Sequence, residues 1–273
     1  SKSLDLYFYL TPFKKNLPES SISIIGPEHA NSGVSIACGE KGEIVIFREE
    51  EWFKVFVHET MHSFGLDFST MDMSIIHKRI QYIIPVISDI NVYEAYTETW
   101  ARIINALFCA FYMIDDKKDE ETFLLYANCC LHFEKNFTSF QMVKILYFMG
   151  LQYEHLYIDN PNVETIRKLL YKEHTNVLSY YIITAILMSN VHIFLRWCND
   201  HNSSLIGFTK TISNLDNFYL LIETQYIHKN LIMSVSKYEK FLHKLISETQ
   251  KDNPNSVKIT SDEKEEKTIL LDT

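Results

Sequence analysis

Residues 47–65 read Phe47-Arg48-Glu49-Glu50-Glu51-Trp52-Phe53-Lys54-Val55-Phe56-Val57-His58-Glu59-Thr60-Met61-His62-Ser63-Phe64-Gly65. Trp52, Val55, Phe56, Val57, Met61 and Phe64 make a helix over 49–64 apolar nearly all round. The three glutamates suit its N-terminal end and Gly65 suits its stop. Such a helix would not bury two histidines and a glutamate without compensation, because unpaired buried polar groups are costly. The spacing His58-Glu59-x-x-His62 supplies the compensation. It sets both imidazoles on one face a turn apart, able to share a tetrahedral Zn²⁺, with Glu59 beside the open coordination position. A water on such a metal has its pKa lowered toward neutrality, and a carboxylate there can take the proton and pass it to a leaving group. His58 and His62 are therefore expected as metal ligands and Glu59 as the catalytic base.

A catalytic zinc takes three protein ligands and a water. An HExxHxxGxxH extension of the metzincin kind places Gly65 correctly, but Phe68 falls at the ligand position and Asp67 comes one residue early. Upstream, Cys38 stands in Ala37-Cys38-Gly39-Glu40, which does not reproduce the deformylase motif. The better candidate is in Asn91-Val92-Tyr93-Glu94-Ala95-Tyr96-Thr97-Glu98-Thr99-Trp100-Ala101, on a later amphipathic helix. Glu94 and Glu98 are one turn apart on a face that needs a cation or a donor. One can bind the metal while the other accepts the free N–H of a ligating histidine.

In these residues the chain resembles the gluzincin metallopeptidases, the thermolysin-like group, in which HExxH is followed on a later helix by a glutamate ligand with an acidic residue four positions on. The resemblance covers about residues 33–101. It implies His58, His62 and Glu94 as ligands, Glu59 as base and Glu98 as the partner of a ligating histidine. It also implies a sheet whose edge strand pairs with an extended peptide, and Asn31-Ser32-Gly33-Val34-Ser35-Ile36 lies at a suitable distance upstream. Beyond Ala101 no motif of the group is recognisable. The group that stabilises the oxyanion is sought by chemistry alone, among His174, Tyr180 and Tyr181, with His155 and Tyr157 as further candidates.

Working outward, residues 4–10, 21–25, 33–38 and 43–47 are short, β-branched or aromatic, and separated by Pro, Gly, Asn and Ser, which predicts a small, mostly antiparallel sheet. From about residue 49 the apolar period becomes helical. Helices are predicted over 49–64, 73–87, 92–114, 120–134, 139–157, 163–171, 176–199 and 214–248. The expected fold is α+β and zincin-like: a catalytic core over 1–115 with the sheet over the HExxH helix, a helical bundle over 116–249 completing the cleft, and an acidic, mobile tail over 250–273.

With 26 basic against 35 acidic residues, a formal charge of -9 and no basic stripe, nucleic acid is not an expected partner. The apolar stretch 180–197 is interrupted by Ser189, Asn190, His192 and Arg196, and is read as a core helix, not a bilayer span. Residues 1–10 lack a secretory pattern, and Cys109, Cys129, Cys130 and Cys198 lack CxxC spacing, so reduced core thiols in a soluble, intracellular protein are expected. The expected function is zinc-dependent hydrolysis of a peptide or protein substrate. The alternatives are a zinc-stabilised scaffold without catalysis and a zinc hydrolase of a non-peptide amide.

Overall fold

The computed structural model describes residues 3–36 and 41–252, with side chains through residue 248. The fold is α+β, with a sheet of three strands, β1 (Ser3–Thr11), β2 (Gly33–Ile36) and β3 (Lys41–Arg48), in the order β1-β3-β2. The sheet is mixed, not mostly antiparallel: β2 runs antiparallel to β3, but β1 runs parallel to it. A parallel neighbour needs a long crossover, and the chain between Thr11 and Lys41 provides one that contains β2. Along β3, Gly42, Ile44, Ile46 and Arg48 are buried at every second position. Ile44 and Ile46 pack on Val55 of helix α1 (Trp52–Ser63), so this helix covers one face of the sheet. The strand predicted over 21–25 does not form. Only Ile25 pairs, bridging Glu173 through backbone hydrogen bonds to Lys172 and His174.

Helix α1 starts three residues later than predicted because Glu51 takes a left-handed conformation, φ 56°. It ends as predicted. Gly65, at φ 62°, lets its own N–H bond His62 O and that of Leu66 bond Met61 O, the paired closure that a left-handed glycine permits. After it come α2 (Ser74–Ile83) and α3 (Val92–Met113). The two helices predicted over 120–134 and 139–157 are instead one, α4 (Glu120–Phe148), followed after Gly150 by a short 3-10 turn, Tyr153–Leu156. Thr138, in the predicted gap, and Ser139, at the predicted start of the second helix, turn their hydroxyls back onto the carbonyls of Glu134 and Lys135. The helix therefore continues.

Helix α5 (Pro161–Leu170) leads to a π-helical turn, Leu178–Ile183, continued by α6 (Thr184–Ser189). The single helix predicted over 176–199 is broken at Asn190, where α7 (Val191–His201) departs at 91°. The Asn190 side chain, buried at the corner, donates to Gln225 and accepts from Asn230. Helices α8 (Ile212–Gln225) and α9 (Lys229–Asp252) divide the helix predicted over 214–248. The main core runs from Ile25 and Met61 to Leu242 and includes Phe68, Tyr96, Trp100, Phe194 and Phe218.

No single helix among the described residues is long and apolar enough to cross a membrane. The bent pair Leu178–Ser189 and Val191–His201 passes by length and composition, but its apolar side chains are largely core. Cys198 is buried, Cys130 half-buried, and Cys109 and Cys129 are at the surface, so the expectation of core thiols holds for Cys198 alone. Helix α9 runs past the expected start of the tail, and residues 253–273, like Cys38, lie outside the described residues.

Candidate metal centre

Helices α1 and α3 pack against each other. His58 and His62 on one face Glu94 and Glu98 on the other, each pair separated by four residues, a rise of about 6 Å. Nε2 of His58 is 3.1 Å from Nε2 of His62 and 3.2 Å from Oε2 of Glu94, and Nε2 of His62 is 3.3 Å from that same oxygen. Donors about 2.0–2.1 Å from a tetrahedral zinc stand about 3.3–3.4 Å apart. The three atoms therefore outline one face of such a tetrahedron, and nitrogen and carboxylate donors suit the ion. All three residues are buried. Among the described residues no other trio of His, Cys, Asp or Glu converges in this way.

Each histidine is oriented by a carboxylate on its other nitrogen, the arrangement that fixes tautomer and ring direction in metal sites. Glu98 Oε2 lies 3.1 Å from His58 Nδ1, while its Oε1 accepts from Lys54 at 2.7 Å and from Arg102 at 2.9 Å. Asp67 hydrogen-bonds His62 Nδ1 through Oδ2, and its Oδ1 accepts from the backbone and hydroxyl of Ser69. The sequence placed Asp67 only as an unsuitable ligand. Its role as orienter of His62 follows from the reversal at Gly65, which brings the chain back beside the helix end. Phe68, at the metzincin ligand position, is fully buried among Tyr96, Phe208 and Phe218.

No protein-family model, curated protein or solved structure matches this chain.

A cavity of about 260 Å³ opens beside the cluster, lined by His58, Glu59, Glu98, Tyr180 and Tyr181, by Asn31 and Ser32 just before β2, and by Gly33, its first residue. Tyr180 sits with its ring 5.8 Å from that of His58. Burial first, and then the charge of Glu94, pushes its phenol well above the ordinary range, so it stays a proton donor. Tyr181 is raised to about 12 by burial and then by Glu51. The π-helical turn carries both tyrosines on consecutive positions of the cavity wall. His174 is not among the lining residues. It is exposed, because its neighbour Glu173 turns inward to accept hydrogen bonds from the N–H groups of Val177 and Leu178, anchoring the π-helical turn. His155 and Tyr157 lie elsewhere, His155 accepting from Gln152 N and Tyr157 packing on Tyr153 and Tyr226.

Burial works against a charged imidazole at both histidines. Glu94 and Glu98 nonetheless raise His58, and Asp67 and Glu94 raise His62 to about 10. Glu94, opposed by its own burial, is lowered to about 2 by the two histidines. Glu98 is held well below the carboxylate range, against burial, by Lys54 and Arg102 and then by His58. Without metal the cluster thus holds protons that a cation must displace. Zinc affinity, measured by competition with a chelating dye, is expected to rise from about pH 6 to 8, about tenfold per pH unit for each proton released. A flat profile would contradict the cluster.

The same shifts set the stability of the metal-free protein. His62, raised from 6.5 to about 10, contributes stability that is fully present below 6.5 and lost as pH rises through about 10. Glu94, lowered from 4.5 to about 2, contributes stability that is present above 4.5 and lost as pH falls through about 2.

Proposed function

We propose that the protein is a zinc-dependent metallopeptidase with a gluzincin-like core, in which His58, His62 and Glu94 hold the ion. The observation that carries this reading is the triangle of 3.1, 3.2 and 3.3 Å between the three donor atoms. Zinc there would polarise a carbonyl and bring a water's pKa toward neutrality.

The chain's own residues do the rest. Glu59, next to His58 and lining the cavity, takes a proton from the attacking water and hands it to the leaving amine. Tyr180, kept protonated by burial and by Glu94, donates to the oxygen that becomes negative as the carbonyl is attacked. Glu98 and Asp67 hold the imidazoles in their metal-binding tautomers. Strand β2 ends the sheet and its first residue, Gly33, lines the cavity, so an extended peptide can add to its free edge with a carbonyl near Glu59. That edge favours a peptide over a small amide, and the retained base favours an enzyme over a zinc-stabilised scaffold.

The test is metal analysis of the purified protein with a peptide-library cleavage assay, with and without a chelator. The reading expects about one zinc per chain, and cleavage that a chelator abolishes and added zinc restores. Bound zinc with no peptide cleaved would favour the scaffold.

A further inference from the structure

In the sheet register Ser35 of β2 is opposite Ile44, whose side chain is buried against α1. Alternation along the strand therefore turns Ser35 toward that helix, while Val34 and Ile36 are exposed. The Ser35 hydroxyl donates a 2.7 Å hydrogen bond to Oε2 of Glu59. The close approach has its own cause at Gly33, two residues earlier on the same face. A Cβ there would stand 2.7 Å from Cγ1 of Val55 and 3.0 Å from Cδ1 of Ile46. Only a residue without a side chain lets β2 come this near to α1, and the nearness is what puts a short serine within reach of the glutamate.

We propose that Ser35 is a positioning residue for Glu59, its hydroxyl fixing one carboxylate oxygen and leaving the other to take the proton. This rests on the peptidase reading. A glutamate free to rotate spreads over several rotamers, only some of which meet the water. The hydroxyl orients Glu59 through a single neutral hydrogen bond, whereas Glu98 is gripped by the two cations Lys54 and Arg102. The edge that receives the peptide thus also sets the base.

The experiment compares Ser35→Ala and Ser35→Thr with the wild type on a cleaved library peptide, together with zinc content and crystal structures of all three. In Ser35→Ala kcat is expected to fall about 10- to 100-fold, with KM and zinc content little changed. Ser35→Thr, which restores a hydroxyl on a residue suited to a strand, should recover most of the rate. In the crystals Glu59 should keep one conformer in the wild type and Ser35→Thr, and spread over more than one in Ser35→Ala. An unchanged kcat in Ser35→Ala overturns the proposal, as does a loss of rate that tracks a loss of zinc. If the zinc-loaded wild type cleaves nothing, the peptidase reading fails while the crystals still decide the positioning. An identical Glu59 conformer in Ser35→Ala then overturns it.

Discussion

Glu59→Gln is expected to lose peptide hydrolysis while binding zinc as the wild type does. Glutamine has the shape of glutamate, and its amide oxygen can still accept the hydroxyl of Ser35, which now bonds Oε2. What it cannot do is take a proton from water. None of the three donor atoms of the metal cluster belongs to residue 59, so metal content should not move. Removing a general base costs about 10²- to 10⁴-fold, and a loss in that range, with about one zinc per chain retained, would assign the role. A variant that cleaved at the wild-type rate would remove Glu59 from the chemistry.

A second large effect is expected when the two glutamates of α3 are separated. Glu94 Oε2 is shared between both Nε2 atoms, so Glu94→Ala takes away one corner of the triangle and should purify largely free of zinc and inactive. Glu98 touches the far nitrogen of His58 and two buried cations, Lys54 and Arg102. Truncating it to alanine would leave Lys54 with Glu51 and Arg102 with Glu134 but remove the carboxylate between them, and breaking a buried ion pair typically costs about 3–5 kcal/mol of stability. Glu98→Gln is the cleaner variant. It should keep its zinc with affinity or activity weakened about 10- to 100-fold, the usual consequence of disturbing a group that orients a ligand. Asp67→Asn should behave in the same way through His62. If zinc survives Glu94→Ala and is lost in Glu98→Gln, the two glutamates exchange roles; if it survives both, the thermolysin-like reading is wrong.

The parts of this site that were legible in the sequence are those set by one helical period. His58 with His62, and Glu94 with Glu98, repeat every four residues, and the same arithmetic extends to Arg102 after Glu98, whereas the pair of Lys54 with Glu98 joins two helices and is set by their packing. The role of Asp67 was not legible by period, because it depends on a chain reversal that only the left-handed Gly65 produces. Ser35 reaches Glu59 across a strand-to-helix contact set by the absent side chain of Gly33, which no local pattern encodes. In the fold, the parallel pairing of β1 with β3 depends on residues some forty positions apart and left no trace in alternation. The predicted gap over 135–138 is helical because hydroxyls that favour turns in isolation, here those of Thr138 and Ser139, can also bond back within a helix. Asn190 broke a stretch whose apolar period continues on both sides, its amide held by Gln225 and Asn230 from far along the chain.

The most direct test of the centre is anomalous diffraction from a zinc-loaded crystal, recorded on both sides of the zinc absorption edge. The predicted result is one peak about 2.0–2.2 Å from Nε2 of His58, Nε2 of His62 and a carboxylate oxygen of Glu94, with Glu98 and Asp67 still on the Nδ1 atoms. A zinc peak bound instead by Asp67 or Glu98, or no peak between α1 and α3, would contradict it.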